Sequence, residues 1–378
     1  MTPAARTQAA IELIDAILAS QAGADTVIAN WFKTRRYAGS KDRRAVRELV
    51  YRAIRHFGDP PRSGRTAMIT LADDDAELAA TFDGTPYGPP AIGARERRAL
   101  GGPMPAWLAA RIPEQGMLDR APLDLRVNRL KAERNAVASL FPEATPLGAD
   151  GLRLAEPINV EATQAYRDGL VEVQDFGSQL IVDACGAAPG MTVVDLCAGA
   201  GGKTLALAAA MMNSGRLIAC DTVRDRLRRL KPRAERAGAQ VEIRLLDGGR
   251  EAAQLGDVAE TADVVLVDAP CSGTGTLRRN PEARWRLKPD RVDNLIALQS
   301  HVLALAAPLV KPGGALVYAV CSLIDEEGPG QAAAFLQAHC GWTSEGIAFG
   351  TPIGPGVRLT PKQDGTDGFF VARFVKPC

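Results

Sequence analysis

The chain has few of the residues on which metal sites and histidine-based catalysis depend. It contains three histidines, His56, His301 and His339, and no two of them have metal-ligand spacing. Acid–base chemistry that uses imidazole is therefore poorly supplied. The seven cysteines are odd in number, contain no Cys-x-x-Cys pair and all follow residue 184. This pattern argues against a disulfide framework and a zinc site, and it favours a reducing cytosol.

The chain also has no large excess of positive or negative charge and no long hydrophobic run. Lysine and arginine number 45 against 44 aspartates and glutamates, so local clusters must carry any binding to a polyanion. The amino terminus lacks an apolar signal core, and no apolar run approaches a membrane span. We therefore expect a cytoplasmic monomer with neither a membrane nor a metal partner. A length of 378 residues predicts two or three domains.

The first part of the chain has a helical pattern with a basic face. Apolar residues recur at helical spacing over 5–57, and Ser40 is the predicted N-cap of a helix over 41–57. Nine basic residues stand against two acidic ones over 33–55. Such a run is commonly a solvated helix face, whereas beside a nucleic-acid chemistry it predicts a phosphate-binding surface. The arginines at its centre are Arg43, Arg44 and Arg47.

The pattern changes twice after the helical part. Glycine and proline are frequent over 58–121, which predicts short helices joined by loops, and apolar alternation then begins near Pro122. From residue 186 strands and helices alternate, as in a doubly wound, mostly parallel α/β sheet. The predicted domains are 1–121, all-α; 122–185, a linking α+β subdomain; and 186–378, α/β. The predicted strands are 192–197, 216–221, 240–246, 262–268, 314–320 and 369–375.

Residues 192–204 join an apolar strand to a helix through a turn that has almost no side chains. A P-loop would need glycine at Cys197, and a dinucleotide loop that starts at Gly199 would need glycine at Thr204. The pattern that remains is Asp195-x-Cys197-x-Gly199-x-Gly201. It resembles the first motif of S-adenosylmethionine-dependent methyltransferases. Because short glycine patterns are common, an ordinary strand–helix turn is an equal alternative at this point.

Three later predicted strands end in or next to an aspartate, namely Asp221, Asp247 and Asp268. Ligands of an open parallel sheet lie beyond the carboxyl ends of its strands. Asp221 is suited to accept hydrogen bonds from ribose hydroxyls, and Asp247 is suited to an adenine edge. One such residue means little, since aspartate also caps turns. Three of them behind a small-residue turn favour a site for a nucleoside cofactor.

Two cysteines follow strands at the same predicted edge, Cys271 in Asp-Ala-Pro-Cys-Ser-Gly and Cys321 in Val-Cys-Ser. A buried cysteine is usually a small hydrophobic residue. We expect that role for Cys185, Cys220 and Cys340. Two thiols fit the transfer of a methyl group to a carbon atom. C5 of a pyrimidine becomes nucleophilic enough to accept the methyl group when a thiolate adds at C6. A carboxyl group near N3 and N4, here Asp268, would stabilise charge on the ring.

With these residues the chain resembles, over nearly its whole length, the RsmB/Sun family of RNA 5-methylcytosine methyltransferases. The runs at 195–204, 268–275 and 321–322 correspond to its cofactor, Pro-Cys and Thr-Cys motifs, and 39–51 is similar to its NusB-like domain. The resemblance implies a Rossmann-like methyltransferase domain preceded by an all-α, NusB-like RNA-binding domain and the linking subdomain. The chain departs from the family at Gly199-Ala200, where Ala-Pro is usual, and at Val320, where Thr is usual.

The resemblance also implies a role for each site residue. Cys321 would be the nucleophile, and Cys271 would assist release of the product. Lys203 and Asp268 would orient the cytosine. The residues that would hold S-adenosyl-L-methionine are Cys197, Ala198, Gly199, Ala200, Gly201, Gly202, Lys203, Asp221, Asp247 and Asp268.

The favoured hypothesis is methyl transfer from S-adenosylmethionine to C5 of a cytosine in RNA, with 16S ribosomal RNA as the first substrate to test. A second hypothesis is the same chemistry on tRNA or DNA. DNA enzymes of this chemistry use the Pro-Cys cysteine, which would make Cys271 the nucleophile. A third is a non-catalytic, RNA-binding ribosome assembly factor, against which the presence of both cysteines and of Lys203 argues.

Overall fold

The computed structural model describes residues 1–112 and 116–378. The chain divides into two compact units, Met1–Pro113 with Thr276–Lys288, and Glu114–Gly275 with Pro289–Cys378. The predicted domain boundaries stay a prediction. The division adds that residues 276–288, predicted within the α/β domain, group with the amino-terminal helices.

The first unit is built from helices around a core that includes Leu13, Val46 and Ile54, all fully buried. Its helices are α1 Pro3–Ala19, α2 Ala24–Lys33, α3 Ser40–His56, α4 Gly64–Asp73, α5 Ala76–Ala79 and α6 Ala106–Ala109. The predicted N-cap was wrong by one residue, because Gly39 has the extended backbone of a cap and Ser40 is the first helical residue. The helical prediction for 5–57 is otherwise confirmed.

The segment 276–288 belongs to this unit because its side chains bind the ends of helices there. The buried Arg284 donates to the carbonyl of Phe57, 3.1 Å away, just beyond the carboxyl end of α3. The Glu282 carboxylate accepts from the Ala24 amide, 2.8 Å away, at the amino end of α2. Helix ends carry backbone groups that lack intrahelical partners, and these side chains satisfy two of them.

The second unit begins with a small antiparallel sheet in the order β2-β3-β1-β4. Leu125, Val127 and Leu152 are fully buried on it, which explains the apolar alternation seen near Pro122. Its elements are β1 Leu123–Val127, α7 Arg134–Ala138, β2 Thr145–Leu147, β3 Gly151–Leu154, α8 Gln164–Arg167, β4 Val171–Val173 and the following α9 Phe176–Cys185.

The rest of the unit is a large sheet with helices between its strands. The order of its main path is β11-β12-β13-β9-β8-β5-β6-β7, and β10 pairs with β13. The elements are β5 Thr192–Asp195, α10 Gly202–Ala210, β6 Arg216–Asp221, α11 Arg224–Leu227, α12 Leu230–Ala237, β7 Glu242–Leu245, α13 Glu251–Gln254, β8 Ala262–Asp268, α14 Pro289–Ala306, β9 Val310–Val320, α15 Pro329–Ala338, β10 Thr343–Glu345, β11 Thr351–Ile353, β12 Gly356–Leu359, α16 Pro361–Asp364 and β13 Phe369–Val375.

All six predicted strands are confirmed, with ends that differ by up to four residues. Strands β5 to β9 pair in parallel, whereas β13 runs antiparallel to β9. The doubly wound, mostly parallel sheet is therefore confirmed. The connection order reverses beside β5, which lies between β6 and β8, and open α/β sheets bind their ligands at such a switch point.

The segment Pro289–Leu309 differs from the expectation that no apolar run approaches a membrane span. Within the two described ranges, it is the one helical segment whose length and composition would allow it to cross a membrane. In this structure α14 packs against β8, β9 and α15 and buries Val292, Val302 and Leu303. That packing is typical of a helix that covers a sheet in a core.

Candidate active site at the carboxyl edge of the parallel sheet

The turn between β5 and α10 has a backbone that only glycine adopts easily. Gly199 and Gly201 have φ angles of 56° and 86°, in the left-handed region. A Cβ on Gly201 would lie 2.0 Å from the Leu230 side chain, so a larger residue there would clash. The amide of Gly199 donates to Asp221 Oδ2, 2.8 Å away. The glycine at 199, one of the two departures from the family pattern, thus matches the local conformation.

Two carbonyls of this turn are held by residues that the sequence analysis missed. Arg233 Nη1 donates to the Ala200 carbonyl at 2.7 Å, and its Nη2 donates to the buried Glu172 at 2.9 Å. Gln174 Nε2 donates to the Gly202 carbonyl at 3.2 Å. These residues come from α12 and from the end of the small sheet, far away in the chain. They form no local motif, so no sequence signal could have identified them.

The residues just before the turn are tied to the sheet. The Ala198 amide donates to the Cys220 carbonyl at 2.8 Å, and burial raises the pKa of the half-buried Cys197 thiol well above its usual value. Burial likewise raises the pKa of the Asp195 carboxyl, to about 7. Asp195 Oδ2 accepts from Thr204 Oγ1 at 2.6 Å, while its Oδ1 is buried and has no hydrogen-bond partner among the described residues.

The three strand-end acids lie at one edge of the sheet but in different surroundings. Asp221 is buried, and its two oxygens accept from the amides of Gly199 and Val223. Asp247 is exposed beyond β7, where it accepts from Gln254 Nε2 at 3.1 Å. Asp268 ends β8 and pairs with Lys203. The three acids thus lie at or just beyond the ends of parallel strands, and their roles in cofactor binding stay a prediction.

Lys203 and Asp268 form a close ion pair, with Nζ and Oδ2 separated by 2.7 Å. The lysine side chain is 11% exposed, and it lies in the first turn of α10 with its Nζ 6.0 Å from the centre of the Phe369 ring. Burial alone would lower the pKa of Lys203, but the charge and hydrogen bond of Asp268 outweigh it and raise that pKa. Lys203 is therefore a fixed cation and donor rather than a base.

Cys271 and Cys321 are brought together by the adjacent strands β8 and β9. Their sulfur atoms lie 3.3 Å apart, and both side chains are partly exposed. The hydrogen bond to Cys321 and burial raise the pKa of Cys271 well above its usual value. Either sulfur can be the donor in this contact, and the raised pKa of Cys271 favours Cys271 in that role. The two cysteines are therefore not equivalent.

The sequence analysis also missed Glu327, which lies in the turn between β9 and α15. Its buried carboxylate accepts hydrogen bonds from Ser272 and Ser322, the residues that follow the two cysteines. In the sequence it is the last of three consecutive acids, a pattern that indicates a solvated loop. Its neighbours Asp325 and Glu326 are indeed exposed.

The other cysteines agree only in part with expectation. Cys185 and Cys220 are fully buried, as predicted, and Cys185 donates to the Ile181 carbonyl one helical turn earlier. Cys340 is exposed, so its predicted burial was wrong. It lies two residues beyond the end of α15, where the chain has left the covered face of the helix.

The three arginines predicted to bind RNA do not share one environment. Arg47 pairs with Asp25 at 2.7 Å, and Arg43 donates to the Ala38 carbonyl at 2.9 Å with its guanidinium over the Phe32 ring. Arg44 instead lines a groove of about 810 Å³ formed by α1, α3 and α5. All three are exposed. RNA binding by these residues stays a prediction.

No group of three histidine, cysteine, aspartate or glutamate side chains with metal-binding geometry occurs within the described residues. The site is instead made of a glycine turn, strand-end acids, one ion pair and two thiols.

Known proteins resemble this chain in both sequence and fold. Residues 180–375 match the family described as 16S rRNA methyltransferase RsmB/F. The chain is 36% identical over 288 residues to ribosomal RNA small subunit methyltransferase B of Yersinia pseudotuberculosis serotype O:1b (strain IP 31758), a match that covers 72% of this chain and 66% of the relative. The corresponding protein of Erwinia tasmaniensis is 37% identical over 263 residues, with 68% and 60% covered. The chain thus spans 60–66% of the length of these relatives.

Solved structures extend the likeness to the whole chain. The crystal structure of PH0851 superposes with a TM-score of 0.80 at 25% identity and covers 100% of this chain and 99% of that one. A methyltransferase homolog protein from Pyrococcus horikoshii gives a TM-score of 0.62 at 29% identity, over 71% and 90% of the two chains. The predicted Rossmann-like methyltransferase fold is confirmed. Since the family match covers more than half of the residues, the chain belongs to the RsmB/F family of 16S rRNA methyltransferases, as its resemblance to the RsmB/Sun family predicted.

Proposed function

We propose that this protein transfers a methyl group from S-adenosylmethionine to C5 of a cytosine in RNA, with small-subunit ribosomal RNA as the substrate. The observation that carries the proposal is the pair of thiols 3.3 Å apart, at strand ends adjacent to the Lys203–Asp268 ion pair. Two thiols are needed when one must add to a pyrimidine and later leave. Methylation of an amino group would need neither of them.

The residues at the glycine turn fit the proposed cofactor. A Cβ built on Gly199 would meet only Asp221 Oδ2, at 4.0 Å, so the turn faces open space in which a ligand can approach the backbone. Asp221 is held at the end of β6, where it can accept from ribose hydroxyls, and Asp247 lies beyond the next strand for an adenine edge. When bound, S-adenosylmethionine supplies an electrophilic sulfonium methyl group.

The chain's own residues then account for activation of the cytosine. The thiolate of Cys321 adds to C6, which moves electron density to C5. The Asp268 carboxylate is an acceptor suited to the N4 amino group, and the Lys203 cation beside it stabilises negative charge that develops on the ring. After methyl transfer the C5 proton is lost to a base, and the bond between C6 and the Cys321 sulfur breaks.

Cys271 assists both the attack of the Cys321 sulfur on C6 and its later release from C6. Because its pKa is raised, Cys271 keeps its proton and donates it in a hydrogen bond to the other sulfur. That hydrogen bond stabilises negative charge on Cys321 before attack, and again when the sulfur leaves the product. This role agrees with the one that the family resemblance implies for the Pro-Cys cysteine.

The test is methyl transfer from labelled S-adenosylmethionine to ribosomal RNA that lacks the modification, followed by mapping of the labelled nucleotide. We expect 5-methylcytosine at one position in small-subunit RNA. Transfer to tRNA or DNA alone would overturn the substrate assignment. Tight RNA binding without any transfer would support the assembly-factor hypothesis instead.

A further inference from the structure

Glu327 is a fully buried carboxylate close to the proposed catalytic thiols. It lies in the turn that follows Cys321, between β9 and α15. Burying a carboxylate is costly unless hydrogen bonds replace its lost hydration. The position therefore calls for a structural or functional reason.

The carboxylate of Glu327 accepts four hydrogen bonds. Oε1 accepts from the Ser272 amide at 2.8 Å and from Gln299 Nε2 at 3.0 Å. Oε2 accepts from the hydroxyls of Ser272 and Ser322. One side chain thus binds the residues that directly follow Cys271 and Cys321.

Further hydrogen bonds make this connection stiff. Gln299 Nε2 also donates to the Pro270 carbonyl at 2.9 Å, so the residues on both sides of Cys271 are held by Glu327 and its partner. The hydroxyl of Thr274 lies 3.0 Å from that of Ser322 and accepts from the Leu323 amide. The backbone carbonyl of Glu327 accepts from the Tyr318 hydroxyl within β9.

We propose that Glu327 is a positioning residue that holds the loops of Cys271 and Cys321 in register, so that the first thiol donates to the second. The catalytic meaning of this role rests on the proposed function. The geometric claim does not, because it concerns two thiols in the protein alone. Nothing in the proposal requires Glu327 to contact RNA or cofactor.

Glu327→Gln is an informative variant, because glutamine has the same shape as glutamate. One oxygen becomes an amide nitrogen, which donates and cannot accept. The Ser272 amide can only donate, and Gln299 presents its Nε2 because that nitrogen also donates to the Pro270 carbonyl. The two serine hydroxyls, in contrast, can turn to accept. The expected result is a folded protein in which the hydrogen bonds to both serines are reversed. Glu326→Gln changes an exposed neighbour and is the matched control.

The decisive measurement is alkylation of Cys321 by iodoacetamide in the full chain, without RNA or cofactor, followed by peptide mass spectrometry over a range of pH. In the parent protein, donation from Cys271 favours reaction of Cys321 at lower pH. Glu327→Gln also removes a negative charge that helps raise the pKa of Cys271, so the charge-neutral Ser322→Ala is measured beside it. We expect both variants to move the half-maximal pH of Cys321 upward, as Cys271→Ala does. A downward shift in Glu327→Gln would show that the charge of Glu327 matters and not its positioning of the two loops. Because Glu327→Gln and Cys271→Ala are both expected to weaken the hydrogen bond between the two sulfurs, the double variant should show no further upward shift. Glu326→Gln should match the parent.

A parent-like alkylation profile in folded Glu327→Gln would overturn the proposal, as would additive shifts in the double variant. If Glu327→Gln does not fold, Ser322→Ala removes one donor and should give a smaller shift in the same direction. In the methyl-transfer assay Glu327→Gln should lower kcat by about tenfold or more at unchanged KM, the size expected for a lost hydrogen bond to a charged group. Alkylation that behaves as expected in a protein without methyl transfer would leave this inference standing and overturn the proposed function.

Discussion

The sulfur atoms of Cys271 and Cys321 lie 3.3 Å apart although 50 residues separate them in the chain. The cause is the register of two parallel strands, in which Asp268 at the end of β8 pairs with Ala319 near the end of β9. The residues that follow each strand therefore emerge side by side. Either sulfur can donate in this contact, and the raised pKa of Cys271 favours Cys271 as the donor.

The two cysteines should give different products when each is removed. We expect Cys321→Ala to bind RNA reversibly and transfer no methyl groups, because C5 is then never activated. We expect Cys271→Ala to accumulate a protein–RNA species that survives denaturing gels, because release of Cys321 is impaired. The adduct should disappear when Cys321 is replaced as well. A stable adduct in Cys321→Ala would instead make Cys271 the nucleophile.

Asp221 should matter for cofactor affinity. Asp221→Ala removes an acceptor for the ribose and also releases the Gly199 amide. Loss of a hydrogen bond to a charged group costs roughly 1.5–3 kcal/mol of binding free energy, which isothermal calorimetry with S-adenosylmethionine would measure. Asp225→Ala, on an exposed part of α11, is the control and should bind as the parent does. Equal affinity in both variants would show that Asp221 only shapes the turn.

The helical unit should contribute to RNA binding through phosphates. Replacing Arg43, Arg44 and Arg47 by alanine should weaken RNA binding and flatten its salt dependence, because fewer counterions are released. Arg44 should account for most of the loss, since the other two already bind protein groups. Filter binding at several salt concentrations measures both quantities. The control is the double replacement of the exposed Arg95 and Arg97; a loss of similar size there would mean that the effect is not specific to α3.

Asp195 should make stability depend on pH. Its pKa is about 7 in the folded protein and near 3.8 when it is exposed. Between these values the folded state binds more protons than the unfolded state, so the contribution of Asp195 to stability is fully present below about pH 4 and is lost as the pH rises through 7. Asp195→Asn removes this dependence and should keep the bond from Thr204 Oγ1.

The measurement is the free energy of unfolding in urea for parent and Asp195→Asn from pH 5 to pH 8. The free energy of unfolding of Asp195→Asn minus that of the parent should rise by about 2–3 kcal/mol from pH 5 to pH 8, because one pKa unit corresponds to about 1.36 kcal/mol. Parallel profiles would show that the carboxyl group titrates alike in both states. Asp225→Asn, at an exposed position, should run parallel to the parent.

Much of the architecture was determined by the sequence alone, because it depends on local periodicity. Apolar runs predicted six strands of the large sheet, and all six are present. Small residues between Asp195 and Lys203 predicted the turn. Acids and cysteines after strands were expected at one edge because parallel strands share their direction. Errors arose where local rules compete. Glycine rather than serine caps α3, and Cys340 is exposed.

The tertiary structure alone decided which side chains support the site. Arg233 and Gln174 hold the glycine turn, Glu327 joins the two cysteine loops, and Arg284 attaches residues 276–288 to the helical unit. None of these residues belongs to a motif. Each is buried at least in part and binds groups that lie up to 230 residues away in the chain. Hydrogen bonds of this kind depend on how elements pack, and a buried polar group forms them because it would otherwise lose its hydration without replacement.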